Sequence, residues 1–244
     1  TTGLRFDSVV LADSASLALL VKFNLVELDK DGQFALHQVI SDAARMHMEQ
    51  DAADRHDAYY RSMVDEERED WQRIQAIYEQ ARHALARLPQ DDERLVDWVW
   101  ALRVYWNLRG LGPEQVRWAQ LALAVTEQQE DAKSQATLLT NIGTVYSDLG
   151  DKQQALAYYE QALPLRRQVG NKGSEATTLH NIGRVYADLG DKQQALAYYE
   201  QALPLRRQVG DRASEAATLA NIGGVYSDLG DKQQALAYYE QALQ

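Results

Sequence analysis

Two residue patterns in this 244-residue chain carry the chemistry of recognition. Asn141, Asn181 and Asn221 recur at a spacing of forty. An Asn amide both donates and accepts, so it can bond both groups of a peptide unit. His180 and Arg184 lie four apart, which on a helix puts them on one face. Together they suit an acidic side chain or a terminal carboxylate. Catalytic patterns are missing. Five histidines, His37, His47, His56, His83 and His180, form no H-E-x-x-H. No G-x-S-x-G elbow occurs. Zero cysteines exclude disulfides, thiolate metal sites and Cys nucleophiles, and fit a reducing cytoplasm. No G-x-x-x-x-G-K-[ST] is present; the recurrent Gly150-Asp151-Lys152 is expected to be a helix-to-helix turn. No metal or cofactor is therefore expected in this chain.

Composition narrows the partners. The chain carries 25 Lys and Arg against 36 Asp and Glu, a net charge of −11. Such a chain repels phosphate backbones, so nucleic acid is an unfavoured partner. No run of about 18 apolar residues is present, so no membrane span is expected. The acidic stretch from Asp65 to Asp70 reads as a solvated helix face or linker. The chain does not start with Met and has no basic-then-apolar leader, which suggests a piece of a longer protein.

The elements that must position these residues follow from a repeat. SQATLLTNIGTVYSDLGDKQQALAYYEQALPLRRQVGNKG starts at Ser134, a near copy starts at Ser174, and a third starts at Ser214 and stops mid-unit at Gln244. Each unit predicts two helices. The first runs from about Ala136 to Leu149, with Ser134 as its cap, and Gly150 ends it. Asp151 caps the second, which runs from Lys152 to Val169 and stops at Gly170. Pro164 lies inside that helix and frees the carbonyl of Glu160, so a bend is expected. Leu139, Ile142 and Tyr146 make the packing face of the first helix. Ala155, Tyr159, Ala162 and Leu163 make that of the second. Gly143 and Ala155 are small enough to let the two helices approach closely. No pair buries its face alone, so neighbours must stack.

Leu139, Ile142, Gly143, Tyr146, Ala155, Tyr159 and Ala162, repeated at 179–202 and 219–242, resemble the signature of the tetratricopeptide repeat. The resemblance implies a mainly α, right-handed superhelix. The forty-residue period and long second helix depart from the usual unit. A worn copy precedes the clean ones: Val99, Leu102, Trp106, Gly110, Ala122 and Leu123 fall forty residues before Leu139, Ile142, Tyr146, Gly150, Ala162 and Leu163. Trp98, Trp100, Trp106 and Trp118 are expected to pack its core.

Residues 1–50 read differently. Ser14 to Lys22 and His37 to Met48 are expected to be helices. Asn24 to Glu27 and Gln33 to Leu36 are expected to be short strands around Asp29-Lys30-Asp31-Gly32. LALLVKFNLVELDKDGQFALHQVISDAARMHM resembles the C-terminal part of the winged helix of STAND signalling ATPases, the class that includes NB-ARC proteins. WNLRGLGPEQVRWAQLALAV, from Trp106, resembles the opening of the repeat array in bacterial members. In that family a Met-His-Asp signature places its His against the β-phosphate of ADP. The matching positions are Leu36, His37 and Gln38, so the acidic third residue is lost. A nucleotide role for His37, with ADP or ATP, belongs to a longer parent chain alone.

The resulting organisation is a winged-helix remnant with a β-hairpin (1–50), a helical connector (51–93), a degenerate repeat (94–133) and three repeats, the last truncated (134–244). Within the repeats the differences gather in the first helix. They are Thr137, Thr177 and Ala217; Thr140, His180 and Ala220; Thr144, Arg184 and Gly224; and Ser147, Ala187 and Ser227. Lys152, Gln153, Gln154, Arg166 and Arg167 are invariant between units and expected to be exposed. The resemblance places the varied face on the concave groove beside the Asn row. The expected function is a non-catalytic sensor or scaffold region of a STAND-type ATPase, binding a protein, peptide or other ligand there. The alternative is a winged-helix DNA-binding regulator whose repeats drive oligomerisation, although Ser14 to Lys22 offers one cation and no Arg, Asn or Gln for base edges. The unfinished third unit predicts self-association through an uncovered apolar face.

Overall fold

The computed structural model describes residues 5–6, 26–28, 34–36, 57–64 and 70–244. The chain divides into two units, Thr1–Tyr59 and Tyr60–Gln244. In the first, strands β1 (Arg5–Phe6), β2 (Val26–Leu28) and β3 (Phe34–Leu36) form an antiparallel sheet in the order β1-β3-β2. Val26 pairs with Leu36, and Arg5 with Ala35. The helices expected at Ser14 to Lys22 and His37 to Met48, and His37 itself, lie outside the described residues. Three short strands alone do not make a winged helix, and that reading remains an expectation.

The second unit is helical. After a helical stretch at 57–64 come α1 (Trp71–Arg87), α2 (Arg94–Arg109) and α3 (Gly112–Gln128). The forty-residue units follow as pairs: α4 (Ala132–Asp148) with α5 (Lys152–Val169), α6 (Lys172–Asp188) with α7 (Lys192–Val209), and α8 (Arg212–Asp228) with α9 (Lys232–Ala242). Asp70 caps α1 by accepting from the amides of Gln72 and Arg73. The first helix of each unit starts earlier than the spacing predicts. Asp131, not Ser134, caps α4, accepting from the amides of Lys133 and Ser134. A carboxylate one turn upstream satisfies the open amides better than a hydroxyl inside the first turn. Asp151 caps α5 as expected, and Gly170 closes it at φ 75°. The helix continues through Pro164 to Val169.

The glycine at the centre of each first helix sets the packing distance. A Cβ on Gly143 would stand 2.8 Å from the Tyr159 ring and 3.2 Å from the Ala155 carbonyl. Gly183 meets Tyr199 and Ala195 in the same way. Tyr159, Leu163, Leu179, Ile182 and Val185 form one continuous core between units. Stacked tyrosines, Tyr146 on Tyr158 and Tyr186 on Tyr198, lie 5.5 Å apart in each pair. Polar bridges tie unit to unit. Lys152 reaches Asp188 at 2.6 Å, and Lys192 reaches Asp228 across the next seam. The backbones of α4, α6 and α8 approach one another in turn, whereas α5 and α7 have no such packing. The first helices therefore sit on the inside of the curve.

The preceding pair, α2 and α3, is bulkier. Trp98, Trp106 and Trp118 are buried. The Trp106 indole donates to the Tyr78 hydroxyl at 2.8 Å, and Tyr105 donates to Gln75. Three of the four tryptophans expected to pack this core are thus buried, whereas Trp100 is half-buried.

Candidate functional site

The inner wall is built from α4, α6 and α8, and its polar groups divide by what already holds them. Thr140 is 9% exposed, and its hydroxyl donates to the Ala136 carbonyl at 2.7 Å. Ser147 is 3% exposed and lies under the Lys152 ammonium. Both were expected to line the groove. Both are buried instead: α5 and the turn before it cover Ser147, and the Thr140 hydroxyl turns back onto its own helix. Thr144 is half-buried, donates to the Thr140 carbonyl and accepts from the Tyr159 hydroxyl at 3.1 Å. Thr137 donates to the Lys133 carbonyl. Thr177 donates to the Gly173 carbonyl and accepts from Arg206 Nη2 at 2.8 Å. Ala220 and Gly224 are half-buried in α8.

His180 is a bridge between units. Its Nδ1 lies 3.1 Å from Thr218 Oγ1, and its Nε2 lies 3.2 Å from Asn221 Nδ2. Thr218 in turn donates to the Ser214 carbonyl. One proton arrangement satisfies the chain: Asn221 donates to Nε2, and Nδ1–H donates to Thr218. The ring packs 5.3 Å from Tyr199. Burial, then the charges of Arg206 and Arg184, push its pKa down to about 4, which keeps it neutral near pH 7. The variation Leu138, Thr178, Thr218, which falls off the varied line, belongs to the same seam. Residue 138 is buried apolar, whereas Thr218 is buried and serves His180.

The Asn row is therefore not uniform. Asn221 is committed to His180. The residue in the corresponding place for Asn181 is Thr140, whose short side chain is already bonded to its own helix. Among the described residues, the half-buried amides of Asn141 and Asn181 make no hydrogen bond to the protein. Arg184 follows Asn181 by three residues on α6. It is half-buried, with its Nε enclosed and without a partner. Its charge acts on the Tyr159 and Tyr199 hydroxyls, lowering pKa values that burial raises.

Two cations expected on the surface are inside. Arg166 and Arg206 are each 7% exposed. Their signal was in the spacing: Arg166 falls three, four and seven residues after Leu163, Ala162 and Tyr159, on the packing face of α5. Among the described residues no cluster of three His, Cys, Asp or Glu side chains could hold a metal ion. None of the helices described is long and apolar enough to cross a membrane.

A family profile described as tetratricopeptide repeat matches residues 116–168 and 174–244, just over half the chain. This chain is a tetratricopeptide repeat protein. No curated protein sequence matches it. Among solved structures, BtubC from P. vanneervenii is 24% identical, with a TM-score of 0.59 over 78% of this chain and 89% of that one. Apo RapI is 16% identical, with a TM-score of 0.68 over 76% and 68%. A Rap conjugation gene regulator, solved in complex with a Phr peptide, is 18% identical, with a TM-score of 0.57 over 76% and 52%. These likenesses establish the tetratricopeptide fold of the array and agree with the helix pairs seen here.

Proposed function

We propose that the inner wall of this tetratricopeptide array binds an extended peptide or protein segment, as a non-catalytic scaffold. The observation that carries the reading is the pair of unbonded amides, Asn141 and Asn181, on neighbouring first helices. Each presents a donor and an acceptor to the groove, which a peptide backbone can match. Arg184 beside them supplies a cation for an acidic or terminal carboxylate. The Rap regulator's complex with a Phr peptide supports peptide binding as a use of this fold. The test is a display selection of random peptides on the intact chain, followed by affinity measurement against Asn141→Ala/Asn181→Ala. Binding should weaken by about ten-fold, roughly 1.4 kcal/mol. Equal affinity for that variant, with loss instead on changing the outer Gln153 and Gln193, would overturn the groove.

The chain's setting is the sensor region of a STAND-type signalling ATPase. Support for this comes from the pattern at 17–48 and from the stretch beginning at Trp106. In that setting His37 contacts the β-phosphate of ADP, as the resemblance implies. A full-length polypeptide without a G-x-x-x-x-G-K-[ST] segment would remove this assignment.

A further inference from the structure

Arg206 and Arg166 occupy the same place in successive units and have different surroundings. The guanidinium of Arg206 is neutralised inside the chain. Its Nη1 pairs with Asp211 Oδ2 at 3.1 Å, and its Nη2 donates to Thr177 Oγ1. Forty residues earlier the partner of Arg166 should be residue 171, which is Asn. Both residues cap the following helix with one oxygen. Asp211 Oδ1 accepts from the Ser214 amide and Asn171 Oδ1 from the Ser174 amide, each at 3.1 Å. Their backbones agree, with φ −81° at both and ψ of 92° and 79°.

That shared cap fixes the remaining atom. Where Asp211 has a second oxygen for Arg206, the equivalent atom of Asn171 is Nδ2, a donor. Two donors cannot bond each other, and among the described residues Arg166 has no hydrogen-bond or ion-pair partner. Glu175, the first carboxylate after Arg166 in the sequence, is held by Arg167 at 3.0 Å and Lys172 at 3.3 Å. Burial alone acts on the Arg166 pKa, lowering it, with no acid opposing the shift. A guanidinium buried beyond nine-tenths without an anion is costly. Of its three nitrogens only Nε is sealed from solvent without a partner, so Nη1 and Nη2 keep some exposure.

We propose that Arg166 and Asn171 form a receiving site for a carboxylate presented by a peptide ligand, at the seam between the first and second forty-residue units. Forty residues on, Asp211 shows that a carboxylate oxygen is accepted by the equivalent guanidinium, at Arg206 Nη1. The Arg166 fork takes the two oxygens and the Asn171 amide donates to one of them. The site is the counterpart of the place where Arg206 meets Thr177 in the next unit. It rests on the groove reading for the source of the carboxylate, but not for the site itself.

The exchange between units gives the test. Asn171→Asp supplies an internal anion and keeps the cap, as position 211 shows. Asp211→Asn releases Arg206 and creates a second site. Thermal unfolding is followed in sodium glutarate and in sodium chloride of equal ionic strength. The natural chain should gain Tm specifically in glutarate, Asn171→Asp should lose that gain, and Asp211→Asn should enlarge it. No gain in the natural chain, or an equal gain in Asn171→Asp, overturns the site. Labelled short peptides carrying two glutamates, against the same peptides with glutamines, then test the source. The natural chain should prefer glutamate by about ten-fold and Asn171→Asp should not. Absence of that preference, with the glutarate effect intact, overturns the peptide as the source and counts against the groove.

Discussion

At the scale of single residues, His180 shows how one side chain can serve packing and still mark a surface. Its neighbours hold it neutral and fully bonded through Thr218 and Asn221. Protonation would put a second donor against the Asn221 amide and a third positive charge beside Arg184 and Arg206. The folded pKa of about 4 lies below the ordinary value of 6.5, so the unfolded chain binds more protons between those values. Stability should therefore rise with pH from about 4 to 6.5 and be fully present above that window. Urea unfolding across this range should show the rise, and His180→Gln should flatten it. Asp131 and Asp211, whose pKa values are lowered by their bonds to Ser134 and Ser214, act in a separate window. Their contribution is lost as pH falls below the usual carboxylate value of 3.8. A slope confined to that lower window would refute the role given to His180.

At the scale of helices, the close approach at Gly183 controls whether a pair forms. Gly183→Ala places a methyl 2.8 Å from the Tyr199 ring and 3.2 Å from the Ala195 carbonyl. The ring is buried and the carbonyl is main chain, so neither yields easily. A loss of about 1–3 kcal/mol is expected in chemical denaturation, the usual range for overpacking. Gly224→Ala, which meets only the Tyr239 hydroxyl at 3.7 Å, should be nearly neutral by comparison. The sequence made most of this legible. Leu139, Ile142 and Gly143 against Ala155 and Tyr159 announce two helices and their contact, because the 3.6-residue period and small residues are local signals. Burial of Thr140 and Ser147 was hidden, since it depends on how far α5 and its turn cover α4. The bond from His180 to Asn221 spans 41 residues and depends on stacking, which no single unit encodes. Arg166 was misplaced because a charged residue on a packing face reads as exposed by type and as buried by position.

At the scale of the whole molecule, the far end of the array differs from its interior. Tyr199 is 1% exposed under α8, whereas its counterpart Tyr239 is 39% exposed, and Leu243 is 89% exposed. An apolar face of this kind tends to find another. Sedimentation should show concentration-dependent association of this chain, and Leu236→Lys/Leu243→Lys should abolish it. Monodispersity of the natural chain at every concentration would remove the expectation. The interior seams have a different consequence. Helices α5 and α7 are the same eighteen residues, KQQALAYYEQALPLRRQV, and each is gripped by a first helix with the same apolar stripe. A gene that gained or dropped one whole forty-residue cassette would join matching apolar surfaces on both sides. The trough can thus lengthen or shorten by duplication alone, and only the inward-facing letters need rewriting afterwards.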